Sequence, residues 1–151
     1  MMDKAYLAQK KSAGDTAVDG LVAGLPAGIG MAIVLTLTGL LSGRPPLVTL
    51  GYFDPAQAGN WLTGLLAHLA VSAIYGVVFA LLMGIVGRIR PSLTRLVVLW
   101  GAVYGLLLLT VAYGVWFTAV TSPLSQIAAW QMGAAHVVYG LSLGLWLYKN
   151  N

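Results

Sequence analysis

The chain reads as an all-α polytopic membrane protein, a bundle of four transmembrane helices with both termini in the cytoplasm. Three observations predict this. Hydrophobic residues make up 59% of the chain and charged residues 8%, with a mean hydropathy of +0.86, far outside the usage of water-soluble domains. Four apolar runs are each long enough to cross a hydrocarbon core, which takes ~20 helical residues. The few basic residues gather at alternate ends of those runs.

Residues 1–16 form a polar leader whose run of lysines suits a short amphipathic helix on the cytoplasmic surface. Two Ser/Thr-x-x-Asp boxes, Ser12 to Asp15 and Thr16 to Asp19, mark where a helix starts, and Asp19 is expected to cap it. The first span runs from Ala17 to Leu41. That run exceeds a secretory apolar segment of ~7–15 residues, so it is expected to stay as a mature helix. An outer loop, 42–59, follows; its Pro45–Pro46 pair cannot continue a helix, and its "LVTLGYF" is apolar enough to lie along the membrane surface. The remaining spans run from Asn60 to Val86, Leu96 to Val120 and Leu124 to Leu147. Pro91 breaks the inner turn between the second and third, and "TSPLSQ" makes a tight outer turn before the fourth.

Lys4, Lys10, Lys11, Arg88, Arg90, Arg95 and Lys149 fall on one side of this layout and only Arg44 on the other. By the positive-inside rule the side with seven is cytoplasmic. This topology role accounts for the net charge of +4, so no nucleic-acid partner is read from it. Cysteine is absent, which excludes disulfides and thiol chemistry.

Glycine, with 19 copies, is the next signal. Gly20, Gly24 and Gly28 repeat at helical spacing on the first span, and Gly101 with Gly105 and Gly140 with Gly144 give shorter versions on the third and fourth. Such faces let helix backbones approach closely, within the bundle or against another protein's helices. Pro26 sits in the first of these runs and is expected to kink it.

Candidate chemistry centres on the two histidines. His68 has Tyr75 downstream and His136 has Tyr139, about 20° and about 60° around the helix from their histidines, so each tyrosine shares a histidine face. The second and fourth spans run in the same direction and are expected to be neighbours, with His136 about 6 Å deeper than His68. The histidines are 68 residues apart and the Tyr-Gly pairs that follow them, Tyr75-Gly76 and Tyr139-Gly140, are 64 apart, registers that differ by one helical turn, so a tandem repeat of two hairpins stays open.

The stretch "AAHVVYGLSLG" resembles the His-x-x-Tyr-Gly signature in the last helix of the YagU-like group of small bacterial inner-membrane proteins, matching at His136, Tyr139 and Gly140. The resemblance implies a four-helix protein of the bacterial inner membrane and no settled activity.

Three roles suit the histidine pair: hydrogen bonds between helices, axial ligation of a haem b, or a proton relay, quinone or lipid head-group site lined by His68, Tyr75, His136 and Tyr139. Enzymatic roles find no support. The acidic residues are Asp3, Asp15, Asp19 and Asp54, none at mid-membrane depth, and no nucleophile, base and acidic orienter fall together. The expected function is a non-catalytic accessory or scaffolding subunit, packing through its glycine faces as a homo-oligomer or within a larger membrane complex. The alternative is an electron-transfer subunit holding haem b or a quinone at His68 and His136. A reporter fused to either terminus is expected to register the cytoplasmic side, and an external C-terminus would require a different number of crossings.

Overall fold

The structure, a computed structural model, describes residues 11–150. The surface helix expected for the leader lies outside the described residues. Within them the chain is helical, with no strand. Helix α1 spans Ala13–Leu41, α2 Pro46–Gly51, α3 Trp61–Ile89, α4 Val97–Val111, α5 Phe117–Ala119 and α6 Ala129–Asn150. A 3-10 turn, Pro91–Leu96, leads into α4, a π turn, Ala112–Trp116, extends it, and a second 3-10 turn covers Pro123–Gln126.

Caps explain where these helices begin. The Ser12 hydroxyl accepts from the Asp15 N–H at 3.0 Å while the Asp15 carboxylate accepts from the Ser12 N–H at 3.0 Å, so α1 starts inside the expected leader. The second box does not cap. Thr16 donates to the Ser12 carbonyl, and Asp19 lies a turn inside the helix with Lys11 at 2.7 Å. Asn60 accepts from the N–H groups of Leu62 and Thr63 and starts α3. Past the end of α1, Gly43 takes φ +78, a left-handed conformation that glycine adopts without strain. The final helix begins at Ala129, not Leu124, because Pro123–Gln126 closes into its own 3-10 turn.

Three stretches, Ala13–Leu41, Trp61–Ile89 and Pro91–Ala119, are long and apolar enough to cross a membrane, which makes this a membrane protein. Their large apolar side chains point outward: Ile33 and Leu37 on α1, Ile74 and Ile85 on α3, and Leu99 and Leu107 on α4 are all exposed. Small residues share the interior with a few large ones: Ala23, Ala27 and Ala135 are almost fully buried, and so are Leu35, Phe79 and Leu143. α6 differs in being more polar and more enclosed, carrying Gln131 and His136 among its buried residues.

The helices form two antiparallel pairs, α1 with α3 and α4 with α6, joined because α1 also packs on α6. The expectation that the two histidine helices are neighbours is corrected: α3 and α6 barely touch, since each packs against α1. α3 and α4 barely touch either. The starts of α1 and the ends of α3 and α6 share one end of the molecule, where Lys11 bonds both Asp19 and the Asn150 carbonyl.

Glycines set the spacing within each pair. A Cβ on Gly20 would lie 2.6 Å from the Gly76 carbonyl oxygen, and one on Gly24 2.5 Å from that of Ser72. A Cβ on Gly28 would lie 2.6 Å from Ser72 Cβ. In the other pair Gly101 and Gly140 each meet the other's carbonyl, Gly105 meets the His136 carbonyl, and a Cβ on Gly144 would be 2.6 Å from Val98 Cα. These faces are therefore taken up inside the chain, and a partner helix would have to use another surface. Pro26 is exposed and lies off the glycine face, and α1 runs through it unbroken.

Gly24→Leu should lower the thermal midpoint in detergent sharply, because the obstruction is backbone that cannot move aside, at a cost of about 1–3 kcal/mol or more. Gly30→Ala is the matched control, since a Cβ there meets only side-chain atoms at 3.8 Å, and should leave the midpoint unchanged.

Candidate functional site

Because α3 and α4 diverge toward the end that carries the outer loops, they leave a cavity of about 580 Å³ between them. All four residues singled out in the sequence, His68, Tyr75, His136 and Tyr139, line it. His68 is seven residues past Trp61, the start of α3, and His136 seven past Ala129, the start of α6. The expected 6 Å offset was reckoned from a last helix starting at Leu124, whereas α6 starts at Ala129.

Each histidine is fixed by a carbonyl. His68 Nε2 lies 3.0 Å from the Gly28 oxygen on α1, and His136 Nδ1 lies 2.8 Å from the Met132 oxygen one turn back on α6. A carbonyl can only accept, so those nitrogens carry the hydrogens. In a neutral ring the other nitrogen is then an acceptor: Nδ1 of His68, and Nε2 of His136 on the ring that lines the cavity. His68 also packs against Phe53 of the outer loop, with ring centroids 4.5 Å apart.

The tyrosines divide in role. The Tyr139 hydroxyl crosses from α6 to the Ser72 carbonyl on α3 at 2.6 Å, the point where those two helices meet. Tyr75 is partly exposed on the cavity wall and makes no side-chain hydrogen bond within the described residues. Beneath the cavity, Tyr104 on α4 donates to the Tyr75 carbonyl at 2.9 Å and packs on Phe79, closing the α3–α4 seam toward the other end.

Several lining residues were not singled out from the sequence. The π turn contributes Ala112, Val115 and Trp116, its wider winding turning these side chains along the mouth. The outer loop forms a roof through Tyr52, Phe53 and Gln57. Gln57, at φ 55, reaches the Thr121 carbonyl at 2.9 Å, and the Tyr52 hydroxyl reaches Gln126 at 3.3 Å, so the two outer loops are tied across the top. Arg44 bonds Gln131 at 3.0 Å and sits over the Tyr52 ring at 5.4 Å, while Gln131 bonds the Thr38 carbonyl and the Ser42 hydroxyl.

Asp54 organises this roof. Its carboxylate accepts from the N–H groups of Ala56, Ala58 and Asn60 at 3.1–3.2 Å and from the Thr63 hydroxyl at 2.9 Å. The Asn60 N–H above all, with Thr63 and the other two amides, holds the carboxyl below its ordinary value of 3.8 against the opposing effect of burial.

The geometry suits haem poorly. Ligation through Nε2 of both rings would require His68 to give up Gly28, and Arg44, the only cation of the outer loops, is already engaged by Gln131 and Tyr52. Among the described residues no group of three or more potential metal ligands occurs either. What the cavity offers is an apolar slot with imidazole acceptors and a tyrosine hydroxyl at its base. Its mouth is flanked by the exposed Val71 and Val111, so it opens on the apolar flank of the molecule. Comparison of the chain with protein-family models, curated proteins and solved structures returned no match.

A carboxyl whose value is lowered by folding stabilises the fold fully above its ordinary value, and that contribution is lost as pH falls through the lowered one. Thermal scans of the wild type should therefore show a decline below pH 3.8 that is smaller in Asp54→Asn, where only the Asp15 carboxyl, lowered by its bonds to Ser12, still contributes, and the variant should start from a lower midpoint at pH 7. Tyr139→Phe should cost about 0.6–1.7 kcal/mol through loss of the bond to Ser72, read from the same scans.

Proposed function

We propose that this chain is a four-span protein of the bacterial inner membrane, with both termini cytoplasmic, that acts as a non-enzymatic accessory subunit. Its task is to hold a lipid-soluble molecule bearing hydroxyl groups, of the quinol class, in the cavity between α3 and α4. One observation carries the reading: His68, Tyr75, His136 and Tyr139, scattered over 72 positions of sequence, line one apolar cavity on the lipid-facing flank.

Chemistry narrows the ligand. With both imidazole hydrogens committed to carbonyls, the histidines present acceptors, so the partner they favour is a donor. A quinol hydroxyl meets that need at His136 Nε2, and the Tyr75 hydroxyl serves a second oxygen. The oxidised quinone offers only acceptors, and against His136 it would set acceptor on acceptor. The apolar tail of such a molecule suits a mouth flanked by valines.

The four-span count is supported by the length of α6, whose 22 residues suffice for a core of roughly 30 Å, and by its antiparallel packing between α1 and α4. Lys11, Arg88, Arg90, Arg95 and Lys149, on the side where α1 starts and α6 ends, support the cytoplasmic placement. The His-x-x-Tyr-Gly resemblance to YagU-like proteins fits the same location.

Binding of a short-chain benzoquinol and of its quinone, followed by tryptophan quenching, tests the ligand class. The quinol should bind more tightly, and His136→Phe should weaken it about tenfold while leaving the quinone little changed. Equal binding of both forms, or none, contradicts the proposal. A reduced-minus-oxidised absorption spectrum should be flat, and sharp b-type bands lost in His136→Ala would replace the quinol reading with haem.

A further inference from the structure

At the opposite end of the molecule lies a second cavity of about 690 Å³, enclosed by the start of α1, the end of α3, the Pro91–Leu96 turn and the end of α6. Its charged lining is Lys11, Arg88 and Arg95 against a single acid, Asp19. Lys11 holds Asp19 at 2.7 Å, so that pair is mutually neutralised. Arg88 and Arg95 have no carboxylate partner among the described residues. Arg88 lies in the last turn of α3, where it complements a helix-end charge of about one half, and the rest of the positive charge is unanswered. The walls are apolar, formed by Ala80, Met83, Val97 and Leu147, and the Tyr148 side chain also lines the cavity. Cations on exposed residues thus sit beside an apolar interior, the same order in which a phospholipid carries its phosphate and its chains.

We infer that this cavity binds the phosphate group of an anionic membrane phospholipid, with Arg88 and Arg95 taking the phosphate oxygens and the Met83, Val97 and Leu147 wall lying along the first part of an acyl chain. Two guanidinium groups suit a phosphate because each offers paired N–H donors to paired oxygens. Location agrees, since a basic cavity between membrane helices at the cytoplasmic surface meets the leaflet where acidic head groups create a negative potential. The inference rests on the helices crossing a membrane and is independent of the ligand proposed between α3 and α4. The two cavities share no lining residue.

The test uses the full chain in detergent, with thermal midpoint and retained lipid by native mass spectrometry as readouts. Phosphatidylglycerol is titrated in, with phosphatidylcholine as the zwitterionic reference and inorganic phosphate as the free anion. Phosphatidylglycerol should raise the midpoint and stay bound, phosphatidylcholine and inorganic phosphate should do neither, and apparent affinity should fall about fivefold for each arginine removed in Arg88→Gln and Arg88→Gln/Arg95→Gln. Both arginines are exposed, so these changes leave the fold intact. Lys149→Gln removes one charge from the same end but outside the cavity, and should respond like wild type. An equal lipid response in the double variant overturns the site. Stabilisation by inorganic phosphate as strong as by phosphatidylglycerol overturns the lipid as its occupant.

Discussion

Contact between helix backbones is the constraint on which the rest of this structure depends. In hydrocarbon, leucine gains nothing by leaving lipid for protein, so helices must be held by close packing and by polar bonds between them. Gly20 and Gly24 bring α1 against the backbone of Ser72, Ala73 and Gly76 of α3, and Gly28 makes room for the Ser72 side chain. That closeness also creates the site. Only because α1 and α3 nearly touch can His68 on one reach the Gly28 carbonyl on the other, and the same exposed stretch of α3 backbone offers the Ser72 carbonyl to Tyr139.

The cavity follows from where glycine is missing. α4 and α6 are clamped at Gly101, Gly105, Gly140 and Gly144, and α1 carries α6 on its other side, but the α3–α4 seam meets on Phe79 and Tyr104. Two bulky rings hold that seam at one end and let it splay at the other. The π turn of Ala112–Trp116 then lays Val115 and Trp116 along the gap, and the Asp54 loop covers it. Rigid pairs and a loose seam are thus two outcomes of one distribution of small residues.

Much of this was legible in the sequence, because lipid imposes simple demands. Length and hydropathy predict four crossing helices, three of which the structure gives as long and apolar enough, and the helical spacing of the glycines marks residues that end up against neighbouring backbones. His68, Tyr75, His136 and Tyr139 could be picked out as polar groups in apolar helices. A site common to the four is also an expectation of the sequence, but on the premise that α3 lies beside α6, whereas α1 lies against both and the cavity opens between α3 and α4. The start of α6 was misjudged because "PLSQIA" is apolar enough to pass for helix, while Pro123 and the Ser122 hydroxyl bonding the Leu124 N–H close a separate turn. Asp19 was misassigned for a related reason, since two capping boxes in tandem compete and the earlier one, at Ser12, sets the helix start. The roles of Asp54, Gln57 and Arg44 depend on loop geometry that no spacing rule encodes.

The most direct test of the account is the nitrogen spectrum of the two imidazole rings in lipid bilayers, with ¹⁵N-histidine as the only label and His68→Gln to assign the signals. Only two histidines exist in the chain, so only two rings contribute. The account requires opposite tautomers, the hydrogen on Nε2 in His68 and on Nδ1 in His136, leaving one acceptor nitrogen on each cavity-lining ring. The same tautomer in both rings, or a hydrogen on His136 Nε2 with Nδ1 bare, would contradict it.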